Sequence, residues 1–143
     1  MNVTLLISTY NWPEALDLVL RSVARQSRQP DEVVIADDGS DERTAELIGN
    51  YAGRLPIKHV WHEDKGFRKS IILNKAVREV SCPYIIEIDG DIILHRHFIR
   101  DHLNAAERGF FVQGSRAMIG ERKSTQILKS KQLDFKAWTG GMT

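Results

Sequence analysis

Apolar runs suited to buried strands, Val3 to Ile7, Glu32 to Ala36, Ile57 to Trp61 and Tyr84 to Ile88, alternate along this chain with longer helical patterns. No other feature constrains the fold as strongly. A strand that returns to its own sheet through a helix does so by a right-handed crossover, which makes neighbouring strands parallel. The repeated alternation therefore predicts an α/β fold, a Rossmann-like, mostly parallel sheet with helices on both faces. The first helix carries Leu16, Val19, Leu20 and Val23 on one stripe, with Asn11 as its expected N-cap, Pro13 in the first turn and Glu14 three residues after the cap. Ser40 is expected to cap a second helix that runs to about Tyr51, before Gly53 and Pro56. Ile72, Leu73, Ala76, Val77 and Val80 form the stripe of a third, and a weaker helix follows Arg96.

The length of 143 residues, with 42% hydrophobic and 27% charged side chains, fits one domain with a real core. Twenty basic against nineteen acidic residues leave a formal charge of +1, which argues against a broad nucleic-acid surface or an acidic tail. A lone cysteine, Cys82, rules out an intrachain disulfide and suits a reducing compartment. No window approaches the ~20 apolar residues of a membrane span, so a cytoplasmic location is expected. The stretch "ERKSTQILKSKQLDFKAW" has five basic and two acidic residues and leaves peripheral contact with the inner face of a membrane open, although such a bias is more often a solvated face.

Ligands of open α/β sheets gather beyond the carboxyl ends of the strands, and the loops there are the oddest parts of this sequence. "STYN", Ser8 to Asn11, reads either as a turn and cap or as backbone that holds a base or sugar. In "ADDGS" one helix cap cannot explain both Asp37 and Asp38, so one of them is expected to face a ligand, or else to anchor the loop. "HEDKGFRKS" sets Arg68 and Lys69 at a helix entrance, where the dipole slightly disfavours cations, which hints at an anion such as phosphate. His62 is a candidate metal ligand whose plainer reading is a surface or hydrogen-bonding residue.

The fourth strand ends in "IDGD". Asp89 and Asp91 are hard oxygen ligands two residues apart, with Gly90 letting the backbone close up, and they suit Mg²⁺ or Mn²⁺ that keeps sites for water and substrate phosphates. His95 and His97 could add a ligand, though a loop "HRH" is more often plain surface. A D-x-D alone is weak, and the order of the signals along one sheet edge is what points to a metal-assisted nucleotide site. The G-x-x-x-x-G-K-[ST] and G-x-G-x-x-G phosphate loops are absent, which counts against P-loop NTPases and dinucleotide dehydrogenases.

Taken together, "STYN", "QSRQPDEVVIADDGS", "EDKGFRKSIILNKA" and "YIIEIDGDIILHRHFI" resemble, in order and spacing, family 2 glycosyltransferases of the GT-A fold, over about Val3 to Ile99. The resemblance implies that the first loop, with Thr9, Tyr10 and Asn11, and Asp38 of "DDGS" hold the nucleotide base. It places Arg68 on the nucleotide side with Asp64 in the same loop. It gives Asp89 the ribose or the metal, and Asp91, across Gly90, the divalent cation on the diphosphate. The implied reaction moves a sugar from a nucleotide-diphosphate donor, most often a UDP-sugar, to a hydroxyl of a carbohydrate or lipid-linked acceptor, with inversion, as in cell-surface polysaccharide or glycoconjugate synthesis. A separate carboxylate must take the acceptor's proton.

In the family that base lies in an acidic motif well downstream of the D-x-D. Beyond Asp91 the carboxylates here are Asp101, Glu107, Glu121 and Asp134, none with the family's paired pattern. The chain reads as a single nucleotide-sugar-binding domain, residues 1–100 the core and 101–143 the start of an acceptor-side region, with "AWTGGMT" at its edge. The alternative is a truncated, non-catalytic nucleotide-sugar-binding module. A truncated domain of this kind would leave an apolar face or sheet edge uncovered, which invites a homo-oligomer. A receiver domain, suggested by the acidic pair of "VVIADDGS", fits poorly, because that pair would belong after the first strand.

Overall fold

The computed structural model describes residues 1–133. Its elements follow the expected alternation: β1 (Val3–Thr9), α1 (Pro13–Ala24), β2 (Glu32–Asp37), α2 (Glu42–Gly49), β3 (Ile57–Trp61), α3 (Lys69–Arg78), β4 (Tyr84–Asp89), α4 (Phe98–Ala105) and α5 (Glu121–Ser130). All strand pairs are parallel, in the order β3-β2-β1-β4. Central β1 is buried along its whole length, which is why it reads as an unbroken apolar run, whereas edge strand β4 alternates, with Ile86 and Ile88 buried and Glu87 exposed.

Alternation sends β1 side chains to two cores. Val3, Leu5 and Ile7 join Val33, Ile35 and Ile88 beneath Leu16, Leu20 and Val23 of α1, with Ile48 and Ile99 from α2 and α4. Leu6 joins Val34, Ala36, Ile72 and Ala76 in a smaller core under α3. Helices thus cover both faces. The predicted stripe of α3 is buried at Ile72 and Ala76, while Val77 lies near its rim, 46% exposed. At the far end of the chain, Asp17 of α1 accepts from Tyr51 Oη at 2.5 Å and pairs with Lys131 Nζ at 2.9 Å, which fastens the end of α5 to α1.

Two predicted caps differ. Trp12, not Asn11, is the N-cap of α1, and Asp41, not Ser40, caps α2 by accepting from Arg43 N at 3.1 Å. Asn11 sits instead at φ 42°, a region Asn tolerates, donating its N–H to Ser40 Oγ at 2.9 Å and accepting from Asp41 N at 2.8 Å. The two residues join the loops after β1 and β2 to each other rather than each closing its own helix. No helix among the described residues is long and apolar enough to cross a membrane.

Candidate nucleotide-binding site

The parallel register brings the strand ends level: Thr9 lies beside Asp37, Asp37 beside Trp61, and Ser8 beside Asp89. An open cleft forms there, lined by Ser8, Thr9, Tyr10, Asp38, Phe67 and Lys69, with Ala36 and Ile72 at its floor. The loops after β1, β2 and β3 meet there, and the end of β4 adjoins it through the bonds of Asp89 to Ser8 and Lys69.

Both acids of "ADDGS" are buried and both are held by histidines from β3 and the loop after it. Asp37 accepts from Ser40 N at 2.9 Å and pairs with His59 Nε2 at 2.8 Å. Asp38 lies 2.6 Å from His62 Nε2 and accepts the Arg68 backbone N–H at 2.8 Å. Lys75 Nζ meets the other ring nitrogen of His62 at 3.2 Å. An ammonium can only donate, so Nδ1 accepts and Nε2 carries the proton given to Asp38. With both nitrogens engaged and the ring 7% exposed, His62 is a support for Asp38 and has no lone pair free for a metal. Asp37 anchors the loop, and Asp38 is the one that reaches the cleft. Sequence reasoning missed the histidine partners; two adjacent acids at a strand end, opposite two histidines three residues apart on a neighbouring run, were the available signal.

The loops after β2 and β3 touch so closely that Gly39, at φ 93°, has no room for a side chain: a Cβ would lie 2.5 Å from Asp64 Cα. Asp64 Oδ2 accepts from Tyr10 Oη at 2.9 Å, and its Oδ1 accepts from Gly66 N at 3.0 Å, Gly66 itself being at φ 81°. The hydrogen bond and charge of Asp64 push the Tyr10 phenol up, while the bonds from Tyr10 and Gly66 hold the Asp64 carboxyl below its ordinary range. Between these fixed points Phe67 projects 89% exposed. The Arg68 guanidinium turns back onto the Glu63 carbonyl within its own loop.

At the β4 end, Gly90 N donates to Ser8 O at 2.7 Å, and a Cβ on Gly90 would stand 2.7 Å from that same oxygen. Glycine is what lets the D-x-D turn close against β1. Asp89 Oδ1 accepts from Lys69 Nζ at 2.5 Å and from Ser8 Oγ at 3.0 Å. Lys69, then Ser8, hold the Asp89 carboxyl below its usual range against the upward push of partial burial, and the charge of Arg116 adds to this. Asp91 is exposed and makes no hydrogen bond or ion pair among the described residues. His97 bonds Ser27 Oγ at 2.7 Å beyond the end of α1, away from the strand ends, and His95 accepts from His97 N. No group of three or more His, Cys, Asp or Glu side chains among the described residues forms a metal cage. Asp89 and Asp91 supply two hard-oxygen side chains, so a cation held by them would draw its remaining ligands from water and phosphate.

The glycosyl transferase family 2 model matches residues 4–139. Validoxylamine A glucosyltransferase of Streptomyces hygroscopicus subsp. limoneus is 34% identical over 105 residues, covering 72% of this chain and 23% of that protein. S. aureus TarS in complex with UDP-GlcNAc superposes with a TM-score of 0.65 at 21% identity, over 85% of this chain and 39% of that one. The mannosyltransferase PcManGT from Pyrobaculum calidifontis, in complex with GDP-Man and Mn²⁺, does so with 0.59 at 26% identity, over 71% of this chain and 30% of that one. These neighbours share the fold, a parallel sheet of the GT-A type with helices on both faces. The chain spans about a quarter of the length of the glucosyltransferase it matches.

Proposed function

This chain belongs to glycosyl transferase family 2, and from that premise we propose that it takes part in transferring a sugar from a UDP-sugar to an acceptor hydroxyl, with inversion and with Mn²⁺ or Mg²⁺. The observation that carries the reading is the convergence of Tyr10, Asp38 and Lys69 on one cleft at the carboxyl ends of β1 and β2, with Asp89 at the end of β4 bonded to Ser8 and Lys69 of its lining. Support comes from TarS, which holds UDP-GlcNAc, and from PcManGT, which holds GDP-Man with Mn²⁺.

In this reading Thr9, Tyr10 and Asn11 cradle the base and Asp38, steadied by His62, accepts from it. Asp64 orients Tyr10, and Arg68 fixes the loop above through its backbone bond to Asp38. Asp91 and Asp89, on either side of Gly90, hold the cation, which when bound offsets charge on the leaving diphosphate. The anomeric C–O bond breaks with its electron pair left on the diphosphate; the acceptor oxygen forms the new bond and gives its proton to a base. In this reading residues 101–133 belong to the acceptor side, the acceptor being a carbohydrate or lipid-linked hydroxyl, and the protein works in the cytoplasm. Asp134 and "AWTGGMT" lie outside the described residues.

A second reading, nucleotide-sugar binding without transfer, is favoured by one observation: of the described carboxylates beyond Asp91, Asp101 is engaged by Arg100 at 2.9 Å, Glu107 and Glu121 have no side-chain partner among the described residues, and none of the three lines the cleft. It predicts the same binding and no sugar product. The shared site is tested by titrating UDP with and without Mn²⁺. Metal-dependent binding is expected, weakened at least about tenfold in Asp91→Ala, on the scale of a charged contact. Metal-dependent binding that survives the substitution unchanged would sink the site.

A further inference from the structure

We infer that Lys69 is the exchangeable counter-ion of this cleft: it neutralises Asp89 while no cation is bound, and it moves to the donor's diphosphate when it releases Asp89 to the cation. The inference rests on the nucleotide-sugar reading and adds to it a second, protein-borne positive charge for the diphosphate.

Lys69 heads α3 and lines the cleft together with Thr9, Tyr10 and Asp38. Its Nζ lies 2.5 Å from Asp89 Oδ1, on one of the two carboxylates that suit a divalent ion. An ammonium and a divalent cation repel, so they cannot share that oxygen at close range. The pair is made to part. Its side chains are 35% and 47% exposed, and ion pairs open to water hold weakly. Asp89 does not depend on the lysine for its position, because Ser8 Oγ bonds the same oxygen and Gly90 N bonds Ser8 O. Lys58 and Glu32 show the opposite design, with three further protein donors on the same carboxylate.

Lys69 is also the cation best placed to turn to the ligand. Arg68 is committed to the Glu63 carbonyl and, through its backbone, to Asp38. The lysine's four-carbon stem swings from the first residue of a ten-residue helix, whose amino end favours anions. Charge balance says when this matters. The diphosphate carries about two negative charges in the sugar-bearing donor and about three in released UDP, since departure of the sugar uncovers one more ionised oxygen. A divalent ion balances the first state and leaves the second one charge short. Lys69 supplies that charge where it develops, so it favours the leaving group over the bound donor.

The test is Lys69→Met, with retained helix content by circular dichroism and Lys69→Arg as the charge-keeping variant. Mn²⁺ alone, titrated by EPR, is expected to bind Lys69→Met about 3-fold more tightly, because Asp89 has lost its competitor. UDP at saturating Mn²⁺ is expected to bind it roughly tenfold more weakly, uridine equally well, and the UDP-sugar with a smaller loss than UDP. Lys69→Arg should keep UDP affinity near wild type. Mn²⁺ binding that does not tighten, UDP binding that does not weaken, or an equal loss for uridine would each overturn the role of Lys69. Wild-type protein that binds no UDP with Mn²⁺ would overturn the nucleotide-sugar reading along with it.

Discussion

The two ends of the parallel sheet both carry acids and treat them in opposite ways. Near the amino ends, Glu32 is 5% exposed and accepts from Thr4 Oγ1 at 2.6 Å and from Ser81 N and Oγ at 3.0 and 2.9 Å, with Lys58 Nζ 2.6 Å away. Burial pushes its carboxyl up, but Lys58, Thr4 and Ser81 outweigh it and bring the pKa down to about 2. Near the carboxyl ends, Asp89 has one lysine and one hydroxyl, and Asp91 is exposed with no partner among the described residues. A carboxylate whose lone pairs are filled by its own protein is a fastener; one left open is available to something from outside. The same chemical group therefore does different work depending on which donors the fold supplies.

The contrast can be broken most severely at Glu32. Glu32→Leu should cost about 3 kcal/mol, because it strands the buried Thr4 hydroxyl and the Ser81 N–H, while nucleotide affinity of the folded fraction stays at wild type. Urea unfolding and a UDP titration on the same samples check both halves. The sign with pH follows from the depressed pKa: the stabilisation is complete above about 4.5 and drains away as pH falls toward about 2, and the variant's unfolding free energy should lack that slope. Next in size, Gly39→Ala should cost about 2 kcal/mol, since it forces a side chain at φ 93° into the Asp64 backbone. Here stability and UDP affinity should fall together, because the displaced loop carries the partner of Tyr10. The smallest effect on stability belongs to Asp91→Ala, within about 0.5 kcal/mol, even as metal-dependent UDP binding collapses. If Asp91→Ala destabilised the fold as much as Glu32→Leu, the distinction between the two ends would be lost.

The layers of this molecule were legible because burial leaves a mark on composition. β1 is apolar on both faces as a central strand must be, and Leu16, Val19, Leu20 and Val23 repeat at the helical period because one side of α1 meets the sheet. The caps were misread for a physical reason. Asn11 and Ser40 are ordinary capping residues by type, and only the approach of two loops 29 residues apart decides that they bond each other instead. The site was legible as a set of positions and not as a set of bonds. Strand ends can be found from pattern, which gathers Tyr10, Asp38, Asp64 and Asp89; whether Asp38 is held by His62 or Asp89 by Lys69 depends on which loops end up adjacent. Arg68 and Lys69 illustrate the limit: identical in charge and next to each other, they serve a loop carbonyl and the D-x-D respectively.

The central place of β1 has a consequence for how the protein is made. Strand β1 needs neighbours on both sides, and it gets β2 early, after one helix. Its other partner arrives late: Ser8 must wait for Asp89, 81 residues on, before their hydrogen bond can form. Until then the β4 side of β1 is an unpaired hydrogen-bonding ladder on a nascent chain, the kind of surface that chaperones cover and aggregation exploits. The same closing event that covers β1 also brings Asp89 beside Ser8, so protecting the strand and joining the D-x-D to the first loop become a single step of folding.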